Sequence, residues 1–255
     1  GGELVEVRSI TKGYQDPHYV EAKPSTMRTL NRADLLIYNG LELEIGWLPL
    51  LIQGARNPRV VPGADGHLDA SGGIRVLEVP AGQVDRSMGD IHPEGNPHYL
   101  LNPRNGRIVA EKIAAQLELI SPGGADLFNK NLSLFLEDLG GRIESWEEKT
   151  AGMRGQKIVT YHKQWEYLAD WIGLEIIDQV EDKPGIPPSP RHVVKLVGRM
   201  KAEGIRVLIS SNTVDSRPAD RVATRAEAAL LVLPHSIGGE PGIDSYADLF
   251  DWIVG

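Results

Sequence analysis

The stretch Gly89-Asp90-Ile91-His92-Pro93-Glu94-Gly95-Asn96-Pro97-His98-Tyr99-Leu100-Leu101-Asn102-Pro103 carries two of the chain's seven histidines within seven residues. Prolines at 93, 97 and 103 and glycines at 89 and 95 rule out a continuous helix or a central strand across it. What remains is a stiff loop bearing imidazoles. A braced imidazole suits metal ligation, because the ring must be aimed before the ion arrives. The plainer reading is a surface turn with two solvated rings, and the loop alone does not decide between them.

The other histidines bear on the choice. His162 directly follows the apolar run Lys157–Tyr161, and His235 follows Ala229–Leu233 after one proline. His18 follows Leu4–Ile10 by a loop, and His98 follows Ile74–Val79 by a loop. In parallel α/β sheets ligands gather beyond the carboxyl ends of strands. His18, His98, His162 and His235 therefore occupy equivalent places, two in each half, and point to one metal site shared between the halves. The alternative is four unrelated histidines, satisfied or exposed. His192 falls inside a predicted helix and His67 in a turn, so both read as solvated surface. His92 is intermediate: a spare ligand, a group behind the ligands or a surface residue, the last two being preferred.

A nitrogen-rich, sulfur-free donor set suits Zn²⁺, with Zn–N near ~2.0–2.1 Å. Manganese and calcium prefer more oxygen, while copper(II) and nickel also accept imidazole. Four neutral rings leave the ion's charge intact, so nearby carboxylates would help by accepting the far ring N–H groups. Asp16, Glu21 and Asp90 are the nearest in sequence. Binding needs neutral imidazole, so affinity is expected to fall as pH drops through the ordinary histidine value of ~6.5.

The chain has no cysteine, which excludes disulfides, thiolate sites and cysteine catalysis. A net charge of -8 argues against a nucleic-acid backbone as partner. No apolar run approaches the length of a membrane span. The phosphate-binding loop, the hydrolase nucleophile elbow and the His-Glu-x-x-His motif are all absent from the sequence. Ser210-Ser211-Asn212 reads as a strand-end turn rather than an anion site, and Trp47, Trp165, Tyr167 and Trp171 read as core.

The elements that must position these residues alternate along the chain. The first half reads as strand Leu4–Ile10, helix Thr26–Ala33 capped by Ser25, strand Asp34–Asn39, helix Leu41–Gln53, a turn-rich stretch Pro58–Gly73 and strand Ile74–Val79. A helix ending before Ser121 and a long helical section from about Ala125 to Glu148, weakened at Gly140-Gly141, fall mid-chain. The second half reads as strand Lys157–Tyr161, helix Gln164–Ile172, strand Leu174–Val180, helix Arg191–Glu203, strand Ile205–Ser210, helix Pro218–Glu227, strand Ala229–Leu233 and helix Tyr246–Ile253. Near-continuous apolar strands between helices imply parallel sheets covered on both faces. The predicted fold class is α/β: two lobes, each a parallel sheet flanked by helices, joined by a long linking helix, with the metal site in the cleft. The lobes are assigned to residues 1–123 and 151–255, and the linking helix to 124–150.

These residues resemble a known family, the zinc- and manganese-binding solute-binding proteins of ABC transporters whose two lobes are joined by a rigid helix. Asp16-Pro17-His18 with Pro24-Ser25 is similar to the family's first ligand loop. Asn96-Pro97-His98-Tyr99 through Asn102-Pro103 is similar to the second, which usually begins with aspartate. Tyr161-His162 before an aromatic helix and Gly173-Leu174 resembles the third, and Pro188-Ser189-Pro190 matches the family's turn. The fourth ligand is usually an aspartate in the last strand-end loop. Here that loop reads Leu233-Pro234-His235-Ser236-Ile237-Gly238-Gly239, so the resemblance carries the role to His235, with water, Glu240 or Asp244 as alternatives. It also implies an opening strand and helix ahead of Gly1, and the loop before His98 lacks the histidine run of many zinc members.

The resemblance implies a non-enzymatic, monomeric, extracytoplasmic receptor, periplasmic or extracellular. It would capture Zn²⁺, with Mn²⁺ or another divalent metal possible, and deliver it to a membrane permease. A small tilt or loop movement is expected on release, with the loop Ser87–Pro97 as the moving part. The competing class is a metal-dependent hydrolase with three histidine ligands and an open position. A surface adhesin on the same fold is a third reading.

Overall fold

The computed structural model describes residues 1–82 and 92–255. Asp90 and the part of the expected moving loop from Ser87 to Ile91 lie outside the described residues.

The first half is built around a small parallel pair, β1 (Leu36–Tyr38) and β2 (His67–Asp69), with Leu36 opposite His67. Helices α1 (Pro24–Asn31) and α2 (Leu48–Ala55) pack together over it. Leu30, Leu36, Trp47, Leu48, Leu51 and Val60 form their shared core.

Several expectations for this half are corrected. Leu4–Ile10 is not a strand: it opens with a 3₁₀ turn and runs on exposed, so its alternation buries nothing. Helix α1 begins at Pro24, not after Ser25, because proline's fixed φ suits the first helical position. The helix predicted from Leu41 is delayed to Leu48: Leu41 and Glu42 take positive φ, and Pro49 belongs in a first turn. The turn-rich stretch around His67 contains β2 instead. Ile74–Val79 forms no strand; Asn96 donates its N–H to the Leu77 carbonyl and the Leu77 N–H goes to the Tyr167 hydroxyl. Its backbone serves the histidine loop rather than a sheet.

Helix α3 (Pro103–Ile120) ends before Ser121 as expected, and Asn102 accepts the Arg104 N–H as its cap. Helix α4 (Ala125–Thr150) runs unbroken through Gly140-Gly141 for 26 residues. A side chain at either glycine would meet nothing, so both lie on the open face. This helix joins the two lobes.

The second half follows the predicted order closely. Strands β3 (Lys157–Thr160), β4 (Glu175–Gln179), β5 (Val207–Ser211) and β6 (Ala229–Leu233) form one parallel sheet in the order β4-β3-β5-β6. Helices α5 (Glu166–Ile172), α6 (Pro190–Glu203) and α7 (Arg217–Ala226) make the crossovers, and α8 (Tyr246–Val254) closes the chain under a Ser245–Asp248 capping box. One face of the sheet buries Val159, Leu208, Leu196, Met200 and Val222 against α6 and α7. The other buries Trp146 of α4, Trp171 and Phe250 as mutually tilted rings 5.2–6.4 Å apart. That second core continues into Leu41, Ile74, Tyr99 and Leu101 of the first half. The lobes therefore share apolar surface as well as a helix, which resists a wide hinge. The strand order reverses between β3 and β5, the place where open α/β sheets leave a crevice.

Candidate metal centre

His162 follows β3 at that reversal. Thr160 pairs with Gln179 of β4, so two residues further on His162 stands beside Glu181. The His162 Nδ1 lies 2.7 Å from Glu181 Oε2, which also accepts the Gly185 N–H. Glu181 was invisible in the sequence order, yet sheet register places it. His235 follows β6, where Ser211 pairs with Leu233, and its Nδ1 lies 3.0 Å from the Ser211 hydroxyl.

The first-half histidines reach the cleft without preceding strands. His18 sits in a tight turn whose Asp16 carboxylate accepts both the His18 N–H at 2.9 Å and Nδ1–H at 2.7 Å. Trp47 Nε1 anchors this loop by donating to the Pro17 carbonyl. Glu21 takes no part and pairs with Lys23 on the surface. His98 stands before a 3₁₀ turn leading into α3. Its loop is tied to the end of β1, because Asn39 Nδ2 donates to the Pro97 carbonyl and the Tyr99 hydroxyl to the Asn39 carbonyl.

These loops bring the rings together. Centroids of His18 and His98 are 5.5 Å apart, His18 and His162 6.2 Å, and His98 and His162 6.1 Å. His235 is close enough to feel the charges of His18 and His162. The structure also places His92 here, against the preferred sequence reading: its Nε2 is 3.1 Å from His18 Nε2. Its adjacency to a proline-rich loop was the only hint in the sequence. Among the described residues no three His, Asp or Glu side chains hold their donors as a finished coordination set. Asp16 keeps a proton on His18 Nδ1, so His18 Nε2 accepts from His92, and closing on an ion requires the rings to turn.

His67 and His192 stay outside, as expected, but neither is simply solvated. His67 Nδ1 bonds the Val60 carbonyl, while His192 bridges the Gln179 carbonyl and Asp182. Of the alternatives at the fourth position, Glu240 receives Asn212 Nδ2, and Asp244 is exposed at the start of α8. Ser210 and Ser211 are buried strand residues rather than an anion-binding turn.

Electrostatics favour neutral rings. Burial, reinforced by the neighbouring histidines, holds His98 well below its ordinary value. Burial likewise lowers His235 to about 4, against an opposing pull from Asp16. Burial raises Asp16, but the hydrogen bond and charge of His18 outweigh it and hold the carboxyl below its usual range. The unfolded chain takes up protons on residues 98 and 235 that the folded chain refuses. Their contribution is present above the unfolded value of ~6.5 and is lost as pH falls toward the folded values. The denaturation midpoint of metal-free protein is thus expected to drop between pH 7 and pH 4.5, and His235→Gln to make that drop shallower.

Two contacts tie the lobes at the rim. Gly13 lies against Ile237–Gly239, where an added Cβ would stand 2.0 Å from the Ile237 carbonyl oxygen. Beneath, Asn96 accepts the His98 N–H and donates to Glu78 and Glu166, each at 3.2 Å. Burial, then the Glu78 charge, pushes Glu166 up to about 8.

Comparison with known proteins agrees with this architecture. The family described as zinc-uptake complex component A, periplasmic (ZnuA) matches residues 1–254. The manganese ABC transporter substrate-binding lipoprotein PsaA of Streptococcus pneumoniae is 28% identical over 257 residues, covering 98% of this chain and 80% of that protein. The iron ABC transporter substrate-binding lipoprotein MtsA of Streptococcus pyogenes serotype M1 is 26% identical, with the same coverages of 98% and 80%. Among solved structures, a zinc-bound ZnuA deletion mutant superposes with a TM-score of 0.81 at 23% identity, over 100% of this chain and 88% of that one. The Mn-bound periplasmic metal-binding protein of Candidatus Liberibacter asiaticus gives 0.79 at 22%, over 99% and 91%. With a match over essentially its whole length, the chain belongs to the ZnuA family of periplasmic metal-binding solute-binding proteins.

Proposed function

We propose that this protein is the zinc receptor of an ABC transporter, taking up Zn²⁺ outside the cytoplasm and presenting it to a membrane permease. Its metal-transport class follows from the family and from relatives named as substrate-binding lipoproteins. The relatives' names include manganese and iron, so the choice of zinc rests on this chain's own donors. The observation that carries it is the convergence of imidazoles, with His18, His98, His162 and His235 as the ligands and His92 alongside. The carboxylates closest to them, Asp16 and Glu181, are engaged with ring nitrogens rather than offered as oxygen ligands. Such a set favours zinc over manganese by ligand type and by intrinsic affinity order. Among the described residues no helix is long and apolar enough to cross a membrane; a monomer docking on a separate permease is our reading.

The hydrolase reading needs an open position and a carboxylate free to act as base. Asp16 and Glu181 are each committed to a histidine, and with His235 read as the fourth ligand no position is left open. Titration of metal-stripped protein with Zn²⁺ and Mn²⁺, beside His235→Ala, tests the receptor. One zinc per chain is expected, with manganese weaker by roughly a hundredfold or more and a large zinc loss in the variant. Equal affinity for the two metals would refute zinc as the cargo; an unaffected variant would move the fourth ligand elsewhere.

A further inference from the structure

His18 and His162 offer Nδ1 to carboxylates, which only accept, so both rings are fixed with the proton on Nδ1 and a lone pair on Nε2. His235 differs, because its partner is a hydroxyl that can donate or accept. Ser211, 1% exposed at the end of β5, has three neighbours at its Oγ: the Thr213 N–H at 3.2 Å, Thr213 Oγ1 at 2.9 Å and His235 Nδ1 at 3.0 Å. The Thr213 N–H always donates. In one arrangement His235 Nδ1–H donates to Ser211 and Ser211 donates to Thr213 Oγ1, leaving His235 Nε2 with its lone pair. In the other, the Thr213 hydroxyl donates to Ser211 and Ser211 donates to His235 Nδ1, so the ring proton sits on Nε2. The ring holds one proton in both; going from the first to the second, Nδ1 yields a proton to cleft water and Nε2 takes one. Each arrangement gives Ser211 one donated and two accepted bonds, its full capacity.

We propose that Ser211 is a positioning residue that leaves His235 free to exchange tautomers, making His235 the ligand that lets the metal go. The inference rests on the ligand reading above. A ring held by a carboxylate loses its Nδ1 bond if it reprotonates at Nε2 alone, whereas His235 keeps its bond through a rotation of two hydroxyls. Among the three ligands whose Nδ1 is hydrogen-bonded, release therefore starts at His235, on the second lobe, while His18 and His162 stay aimed.

The test is two-bond ¹H–¹⁵N NMR of histidine-labelled, metal-free protein at neutral pH, followed by zinc release into excess chelator. His18 and His162 are expected to show pure Nδ1–H signatures and His235 a mixture of both tautomers. Ser211→Asp, an acceptor only, is expected to shift His235 to Nδ1–H and slow zinc release by roughly tenfold or more, within the range seen for groups behind metal ligands. A single locked tautomer at His235 in the unmodified protein would overturn the proposal and leave the ligand reading standing. Unchanged release from a folded Ser211→Asp protein would also overturn it. Failure of the unmodified protein to bind zinc would overturn both.

Discussion

Replacing His98 with alanine is expected to weaken zinc binding by roughly a hundredfold or more. The magnitude follows from sharing an apparent ~10–16 kcal/mol for a four-ligand structural zinc among its ligands, about 3 kcal/mol each. His98 is chosen because its ring closes a triangle with those of His18 and His162, at 5.5 and 6.1 Å, and burial holds it well below its ordinary value. Its loop is held by Asn39 from its own lobe and, through Asn96, by Lys163 and Glu166 of the other, so the site cannot easily supply another donor. His92→Ala serves as the contrast. The five rings exceed what tetrahedral zinc needs, and His92 is assigned no place among the four. Its loss is expected to change affinity by about tenfold, the low end for a group bonded to a metal ligand, with one zinc still bound per chain. Competition titrations against a chelator of known affinity read both variants. A larger loss for His92 than for His98 would exchange their roles.

Asn96→Asp is expected to lower stability by about 2–4 kcal/mol, the cost of breaking a buried polar network and leaving like charges together. Asn96 is 6% exposed and uses both ends of its amide. Its Oδ1 caps the His98 N–H, while its Nδ2 faces Glu78, Glu166 and the Lys163 carbonyl. An aspartate would keep the cap and lose the donor, and would stand as a third carboxyl in the group. Lys163 already pairs with Glu78 at 2.8 Å, and Glu166, pushed up to about 8, is protonated at neutral pH, so the new charge stands against that of Glu78. Urea denaturation of Asn96→Asp, Glu166→Gln and the double variant checks the argument. Glu166→Gln should recover part of the loss in the double variant, with a coupling on the order of 1–3 kcal/mol. Strict additivity would show that the two residues do not interact. The same cluster accounts for the departure from the aspartate that usually opens this loop in the family: an amide is required where Glu78 and Glu166 converge.

The sequence by itself determined the α/β class, nearly the whole second half, the long joining helix and four histidines at loop positions. Those features are local or periodic: apolar runs bounded by turns, and prolines that stiffen the loop before α3. What it could not determine was decided by contacts between distant segments. Leu4–Ile10 and Ile74–Val79 have strand patterns, but among the described residues the first pairs with no strand and the second gives its backbone to Asn96 and Tyr167, 19 and 90 residues away. Helix α2 starts late because of backbone angles at Leu41 and Glu42 that composition does not announce. His92 joins the site because its loop folds back on His18, 74 residues distant. Glu181 and Ser211 became partners of His162 and His235 only through strand register, since the order β4-β3-β5-β6 sets which carboxyl ends are neighbours. Residue types named the chemistry, and Asp16 beside His18 is local, but at His162 and His235 the ring's partner is a residue that only the tertiary fold brings within 2.7–3.0 Å.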